Sequence, residues 1–385
     1  MKVLLVGQLP VEVGGNYTTG IAKVVYELSL QHPEGIDFAV YATNAKADKI
    51  KVLNERIKYY GYRFLVGRML WNILIHPLRT FKEWQVYKNV HENPVRFEFY
   101  KANFQKVLKD FAPDLIHQNG SGIEPLYFAN RGRVPILLTC HGVFQRFKNP
   151  LSSEKLYADY VTGLTDETKE EITQYFCVDS DKISIIPNGV NTSKFFYSSE
   201  DRNKIRTEFG VKPDSKVFIT VASVQERKGQ LRFTEILKEL PCSNWEYWII
   251  GKGPAEQDIK DYVGENGLNG KVKLLGYRNS DELYQYYSAA DIYAHASTME
   301  GQALCEIEAF STGIKILVNN RIKGTIAKEE LETGDYLFVD FDHPDYTMIS
   351  QWVEKENSER LSVKTMDWSI VAEEYAALYK KLTNC

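Results

Sequence analysis

Short apolar runs, each closed by a polar, glycine-bearing turn and followed by a helical pattern, recur along this chain. That alternation restricts the fold, because strands joined through helices pair in parallel and a parallel sheet is covered on both faces. The clearest copy is residues 287–320, YSAADIYAHASTMEGQALCEIEAFSTGIKILVNN. Residues 291–295 predict a strand, 298–302 a turn, 303–310 a helix closed by Gly313, and 314–318 the next strand. A helix opening near Gln302 aims its first N–H groups and its positive dipole end at the turn, the geometry of a phosphate site. Glu300 on the turn can accept from hydroxyls, and Glu308 lies nearly two turns down the helix. Glu306 stands about 200° around the helix from Glu308, so the expectation is that one faces the ligand and the other faces water. Such a cradle suits a ligand that is part phosphate and part polyol, such as a nucleotide sugar.

The same alternation runs through both halves. Residues 2–7 predict a buried strand, followed by QLPVEVGGNYTTG with Gly14, Gly15 and Gly20. Next is the helical pattern IAKVVYELSLQ, with Ile21, Val24, Val25 and Leu28 on one stripe. Gly7 is followed by Gln, Leu and Pro, so the G-x-G-x-x-G spacing is absent and a nicotinamide dinucleotide is disfavoured. Further strands are predicted at 36–43, 114–118, 135–140 and 183–187, with helices at 99–111 and around 124–130. His141 falls at a strand's carboxyl end, where parallel sheets bind ligands, whereas His117 lies within its strand and reads as a core residue. In the second half, strands at 216–222, 245–250 and 271–275 lead into SVQERKGQ, GKGP and GYRNS. Arg227 and Lys228 thus follow a strand end, where a cation reaches a diphosphate.

These motifs resemble family 4 of the retaining glycosyltransferases, a signature of two glutamates with seven residues between them. The match is Glu300, Gly301, Gln302 and Ala303, then Glu308, Ala309 and Gly313, with Gln302, Ala303 and Glu306 departing from the commonest form. The resemblance implies an α/β protein of the GT-B fold, two Rossmann-like parallel-sheet domains facing across a cleft. Residues 1–190 would form the acceptor domain and 191–366 the donor domain. The segment PNGVN at 187–191 marks the crossing, with a linker near 190–200, and helix 367–385 packs back on the first domain. By the same resemblance, His141, in the T-x-H-G context of 139–142, and Glu300 orient the donor sugar, and Lys228 binds its phosphates. The arginine usual five residues before that lysine is Ser223, and Arg227 either supplies the charge instead or is an ordinary surface arginine. Gly15, Gly20, Gly253, Tyr277, Gly301, Ala303, Leu304 and Glu308 complete the implied donor site, Tyr277 at the base and Glu308 at the ribose.

The implied reaction is transfer of a hexosyl group, with retention, to a glycan or lipid-linked hydroxyl in polysaccharide or glycolipid synthesis. Fixed cations would serve in place of a metal, and no cofactor is expected. The alternatives are a nucleotide-sugar epimerase of the same fold and a non-catalytic nucleotide- or sugar-binding protein.

Composition bounds the partners. The 385 residues are 44% hydrophobic and 25% charged with net charge −4, an ordinary globular profile without a nucleic-acid signal. Residues 51–110 nevertheless carry twelve Lys or Arg against five Asp or Glu. Within them, residues 56–88 are aromatic and basic, and two readings stand: a face lying on an anionic membrane, or an amphipathic helical pair packed on the domain. Five scattered cysteines without C-x-x-C spacing read as reduced thiols. The apolar run at the start is too short for a signal-peptide core, so the expected location is cytoplasmic, extending to the inner face of the membrane. Asp340 and Asp342, a D-x-D pair, read as structural.

Overall fold

The computed structural model describes residues 1–16, 19–52, 54–88, 94–120, 123–142, 157–176, 178–241, 244–355, 360, 362 and 366–383. They form two compact units, residues 1–187 with 368–385, and residues 188–367.

In the first unit, seven strands are ordered β3-β2-β1-β4-β5-β6-β7, every pair parallel. They are β1 (Lys2–Gly7), β2 (Asp37–Lys46), β3 (Lys58–Tyr62), β4 (Leu115–Asn119), β5 (Ile136–Thr139), β6 (Tyr160–Gly163) and β7 (Ile183–Ile185). The helices are α1 (Gly20–Leu30), α2 (Val66–Ile75), α3 (Pro77–Lys88), α4 (Pro94–Phe111), α5 (Ile123–Asn130) and α6 (Asp166–Phe176). β1, KVLLVG, is buried at five of its six positions, as a strand covered on both faces must be.

Residues 56–88 are not a helical pair throughout. Their first part is the edge strand β3, whose Tyr59 and Tyr60 pair with Val40 and Tyr41 of β2. The α2 and α3 helices that follow turn their polar groups inward. Lys101 of α4 pairs with Glu83 and, at 3.1 Å, with Glu98, while Trp84 Nε1 and Asn72 Nδ2 donate to Glu98 at 3.2 and 3.3 Å. Phe64, Leu70, Trp71, Leu74, Leu78 and Phe81 are exposed instead, Leu78 by 81%. A surface helix of a water-soluble domain ordinarily has the opposite polarity.

The second unit begins with α7 (Ser199–Glu208) and a parallel sheet ordered β10-β9-β8-β11-β12-β13. Its strands are β8 (Lys216–Val221), β9 (Trp245–Ile250), β10 (Val272–Gly276), β11 (Ile292–His295), β12 (Lys315–Asn319) and β13 (Tyr336–Val339). Its remaining helices are α8 (Gln230–Glu239), α9 (Glu256–Glu265), α10 (Leu283–Ala289), α11 (Leu304–Ser311), α12 (Lys328–Thr333) and α13 (Tyr346–Glu354). Successive strand residues feed opposite cores: Val217, Ile219, Trp248 and Tyr293 one face, Phe218, Tyr247, Ile249 and Ile292 the other. Residues 191–198, expected as a linker, belong to this unit; Phe195 is in its core and Ser198 caps α7. Asp340 Oδ1 accepts the backbone N–H groups of Asp342 and His343, a turn closed by its own side chain.

The last helix, α14 (Trp368–Thr383), is part of the first unit. There His117 Nδ1 meets the Tyr379 hydroxyl at 2.7 Å, and its Nε2 meets Thr139 Oγ1 at 2.7 Å. Burial pushes this imidazole down to about 3, so it is neutral, with one ring nitrogen donating and the other accepting. His117 is the core residue its place within a strand implies.

The start of β11 is fixed by charge. Asp291 receives Arg202 Nη2 at 2.6 Å, Arg206 Nη1 at 3.1 Å and the Val217 N–H at 2.8 Å. The two arginines also donate to the carbonyls of Ser288, Ala289 and Ala290 at the end of α10, where cations complement the helix dipole. Burial works to raise the Asp291 pKa, but Arg202 and Arg206 outweigh it and hold the carboxyl below its ordinary value. The unfolded chain takes the proton first, near about 3.9, so the stabilisation is present at neutral pH and lost as pH falls through the folded value. Asp291→Asn is therefore expected to lower the unfolding free energy by about 3 kcal/mol at pH 7 and by less at pH 3. Urea unfolding at both values checks this; equal losses would refute the charge argument.

Candidate active site

In an open parallel sheet, ligands bind beyond the strand carboxyl ends, where neighbouring strands leave in opposite directions. In the second unit that point lies between β8, which leads on to β9 at one side, and β11, which leads on to β12 at the other. The adjacency is held by strand pairs Phe218–Ile292 and Ile219–Tyr293 and by Thr220 Oγ1, which donates to the Ala294 carbonyl at 2.7 Å.

The loops after these two strands are clasped together. The Arg227 carbonyl accepts the Thr298 N–H at 2.9 Å and the hydroxyls of Ser297 and Thr298, each at 3.2 Å. Gly229 makes this approach sterically feasible. Its φ is +70°, and a Cβ there would lie 2.2 Å from the Ala296 carbonyl oxygen.

The clasp brings three side chains onto one oxygen. Lys228 Nζ donates to Glu300 Oε1, and Arg227 Nη1 and His295 Nε2 each stand 3.9 Å from that atom. Burial opposes ionisation of Glu300, but hydrogen bonding to His295 and the Lys228 charge prevail, holding its carboxyl far below the usual range. His295 itself is pushed down by burial. Arg227 Nη1 also donates to the Met299 carbonyl at 3.3 Å, while Ser223, where an arginine was expected, is exposed. Reading the sequence missed His295, although the strand-end position that singled out His141 applies to it equally.

The remaining second-unit residues expected at a donor site lie on the same edge of the sheet. Gly253 follows β9 and gives its N–H to Glu256 Oε1 at 2.9 Å; Tyr277 follows β10 and is 59% exposed. Gly301 and Ala303 complete the β11 loop, and α11 starts at Leu304, two residues later than the opening expected near Gln302. Its N-cap, Ala303, has no side-chain oxygen, so no cap of its own competes for the first-turn N–H groups.

One expectation fails here. Glu306 and Glu308 do not divide into a solvated and a ligand-facing carboxyl; both are buried. The Tyr287 hydroxyl, 3.1 Å from the Cys305 carbonyl, lies 3.4 Å from Glu308 Oε2, whereas Glu306 Oε1 accepts from the Tyr336 hydroxyl at 2.5 Å. The helix is covered on both of these sides, by α10 and by β13, so opposite faces do not mean opposite exposure.

Gly15, Gly20 and His141 belong to the first unit. A Cβ on Gly15 would lie 1.8 Å from the Leu9 carbonyl oxygen, so this glycine is required by the chain's own backbone. Gly20 opens α1 behind the Thr19 N-cap, which accepts the Ala22 N–H at 3.1 Å. His141 follows β5 with Nε2 at 2.9 Å from Asn119 Oδ1, and burial pushes it down to about 4. Among the described residues no three His, Cys, Asp or Glu side chains are grouped to hold a metal ion.

Comparison with known proteins completes the picture. A model described as Glycosyltransferase Family 4 matches residues 18–194, and one described as Glycosyl transferases group 1 matches residues 201–360. The chain is 30% identical over 233 residues to the UDP-Gal:alpha-D-GlcNAc-diphosphoundecaprenol alpha-1,3-galactosyltransferase of Escherichia coli, covering 56% of this chain and 60% of that one. It is 25% identical over 253 residues to the alpha-monoglucosyldiacylglycerol synthase of Acholeplasma laidlawii, covering 58% and 63%. It thus spans about three fifths of the length of these curated relatives. Among solved structures, HepE of Anabaena in complex with UDP aligns over 99% of this chain and 100% of its own, with TM-score 0.70 at 17% identity. The two matched segments, one for each parallel sheet, and a signature pair at Glu300 and Glu308 lead to one conclusion: the chain belongs to the family 4, group 1 glycosyltransferases and has their GT-B fold.

Proposed function

We propose that the chain transfers a hexosyl group, with retention, from a nucleoside-diphosphate sugar to a hydroxyl of a glycan or lipid-linked acceptor. The observation that carries this reading is the meeting of Lys228, Arg227 and ionised Glu300 at the strand switch point of the second unit. Bond cleavage leaves charge on the diphosphate, and fixed cations beside it stabilise that charge without reorganising. Lys228 and Arg227 supply them, together with the α11 N-terminus behind Ala303. The Glu300 contacts named above are all made through Oε1, which leaves Oε2 to accept from a donor-sugar hydroxyl. Glu308 is assigned to the ribose, Tyr277 to the base and His141 to the donor sugar, all on resemblance. Two protein cations take the place a divalent ion holds in other transferases, so the reading includes no metal.

The acceptor reading draws on the two curated relatives, whose names specify a diphosphoundecaprenol-linked sugar and a glycosylated diacylglycerol. It draws also on the outward apolar face of α2 and α3 and on Arg63, Arg68 and Lys82 in the same stretch of chain. Exposed apolar side chains with cations nearby in sequence suit the surface of an anionic bilayer. No helix among the described residues is long and apolar enough to cross one.

Thermal-shift titration with UDP, the nucleotide HepE binds, and with GDP, each with and without EDTA, tests the donor site first. Lys228→Ala is expected to weaken nucleoside-diphosphate binding at least about tenfold and to lower kcat roughly 10²–10³-fold. Unchanged affinity would place the phosphates elsewhere. Consumption of the donor sugar with no acceptor present would instead indicate the epimerase. Flotation with phosphatidylglycerol vesicles tests the surface: Trp71→Ser with Leu78→Ser should reduce binding about tenfold and leave nucleotide affinity unaltered. Equal flotation of the wild-type and variant chains would remove α2 and α3 from the reading.

A further inference from the structure

Gln302 is 7% exposed, and every polar atom of its amide is engaged. Its Oε1 accepts the backbone N–H of Asn188 at 2.7 Å, its Nε2 donates to Glu330 Oε1 at 3.0 Å, and its own carbonyl accepts from Asn188 Nδ2 at 3.3 Å. Glu330 is fully buried and is fixed in turn by the Ala327 N–H at 3.0 Å. Behind it the Tyr336 hydroxyl lies 3.3 Å from Glu330 Oε2 and donates to Glu306 Oε1. Burial, with Glu330 adjacent, pushes the Glu306 carboxyl well above the usual range, and burial raises Glu330 as well. The two acids share one buried setting, and Gln302 Nε2 donates to an oxygen of Glu330.

Asn188 is the first residue of the second unit. Two residues on, the Val190 N–H donates to the Met366 carbonyl at 2.8 Å and Val190 bridges Asp367, the last residue before the chain returns. Thr192 adds its N–H and hydroxyl to Asp367 Oδ2 at 3.1 and 2.7 Å. Outgoing and returning segments are thus joined, and Gln302 is tied to the outgoing one through Asn188 and to α12 through Glu330. The position needs an acceptor and a donor on one flat group at this reach. A glutamine provides both, while a leucine of similar volume provides neither.

We propose that Gln302 is a positioning residue: through Asn188 it ties the loop carrying Glu300 to the point where the chain crosses between its units. The catalytic consequence rests on the transferase reading above; the tether itself does not. Glu300 is two residues from the clamp, so releasing it displaces the carboxylate that orients the donor sugar. Lys228, Gly253 and Tyr277, which are carried by other loops, keep their places.

Amide exchange at Asn188 reads the tether directly and needs no ligand. In Gln302→Leu that amide should exchange at least about tenfold faster than in the wild-type chain. With UDP or GDP, whichever stabilises the wild type, affinity and stoichiometry should change by less than about threefold, while kcat falls about tenfold or more. A purely structural defect would lower the binding stoichiometry along with kcat. Asn188→Ala removes one bond, leaves the buried acids in place and should lower kcat at unchanged stoichiometry; it keeps the test open if the leucine variant does not fold. Unchanged Asn188 exchange in Gln302→Leu, or unchanged kcat in both variants, overturns the proposal. If the wild type binds neither nucleotide yet Asn188 exchange responds to Gln302, the transferase reading falls and the tether stands.

Discussion

The second unit depends on how closely the loop after β8 can approach the loop after β11. The strands pair over only two residue positions, so sheet hydrogen bonding alone does not fix the loops. The Arg227 carbonyl, accepting from Ser297 and Thr298, fixes them, and the missing side chain at Gly229 gives them room. With this contact, a lysine from one loop and a glutamate from the other share a partly dehydrated position. Without it they would be two separate surface charges of the kind that contribute little to stability or chemistry.

Within seven residues the chain carries two acidic side chains whose pKa values are pushed in opposite directions. Glu300 is ionised because hydrogen bonding and a cation outweigh the cost of burying it. Glu306, buried with another acid and a tyrosine for company, is pushed well above the usual range. Burial is common to both, so the partner chemistry decides. The result suits a site for anions. The carboxylate held ionised is paired with Lys228.

The alternation of apolar runs and helical patterns gave away the parallel sheets, and the turn after β11 pointed to Glu300. Lys228 was readable for the same reason, since a cation after a strand end has a defined place in this architecture. The edge strand β3 was hidden by its aromatic, basic composition, which resembles an amphipathic helix as much as a strand. Glu306 was misread because helical periodicity shows which residues share a face without showing whether a second element covers the opposite one. Asn188, Glu330 and Tyr336 could not be found at all. Asn188 on one side and the Glu330–Tyr336 stretch on the other lie far from Gln302 in sequence, and no local spacing announces a network assembled by tertiary contact.

That network constrains how the chain can vary over time. An apolar residue at 302 would leave a buried carboxyl facing carbon, and loss of the acid at 330 would leave its neighbour alone at 306; either is unfavourable by itself. Substitutions at 188, 302, 306, 330 and 336 therefore act on one hydrogen-bonded network, and the effect of each depends on the others. Across descendants of this sequence the five positions should be inherited as a block, and a chain that had exchanged only one of them would be found rarely.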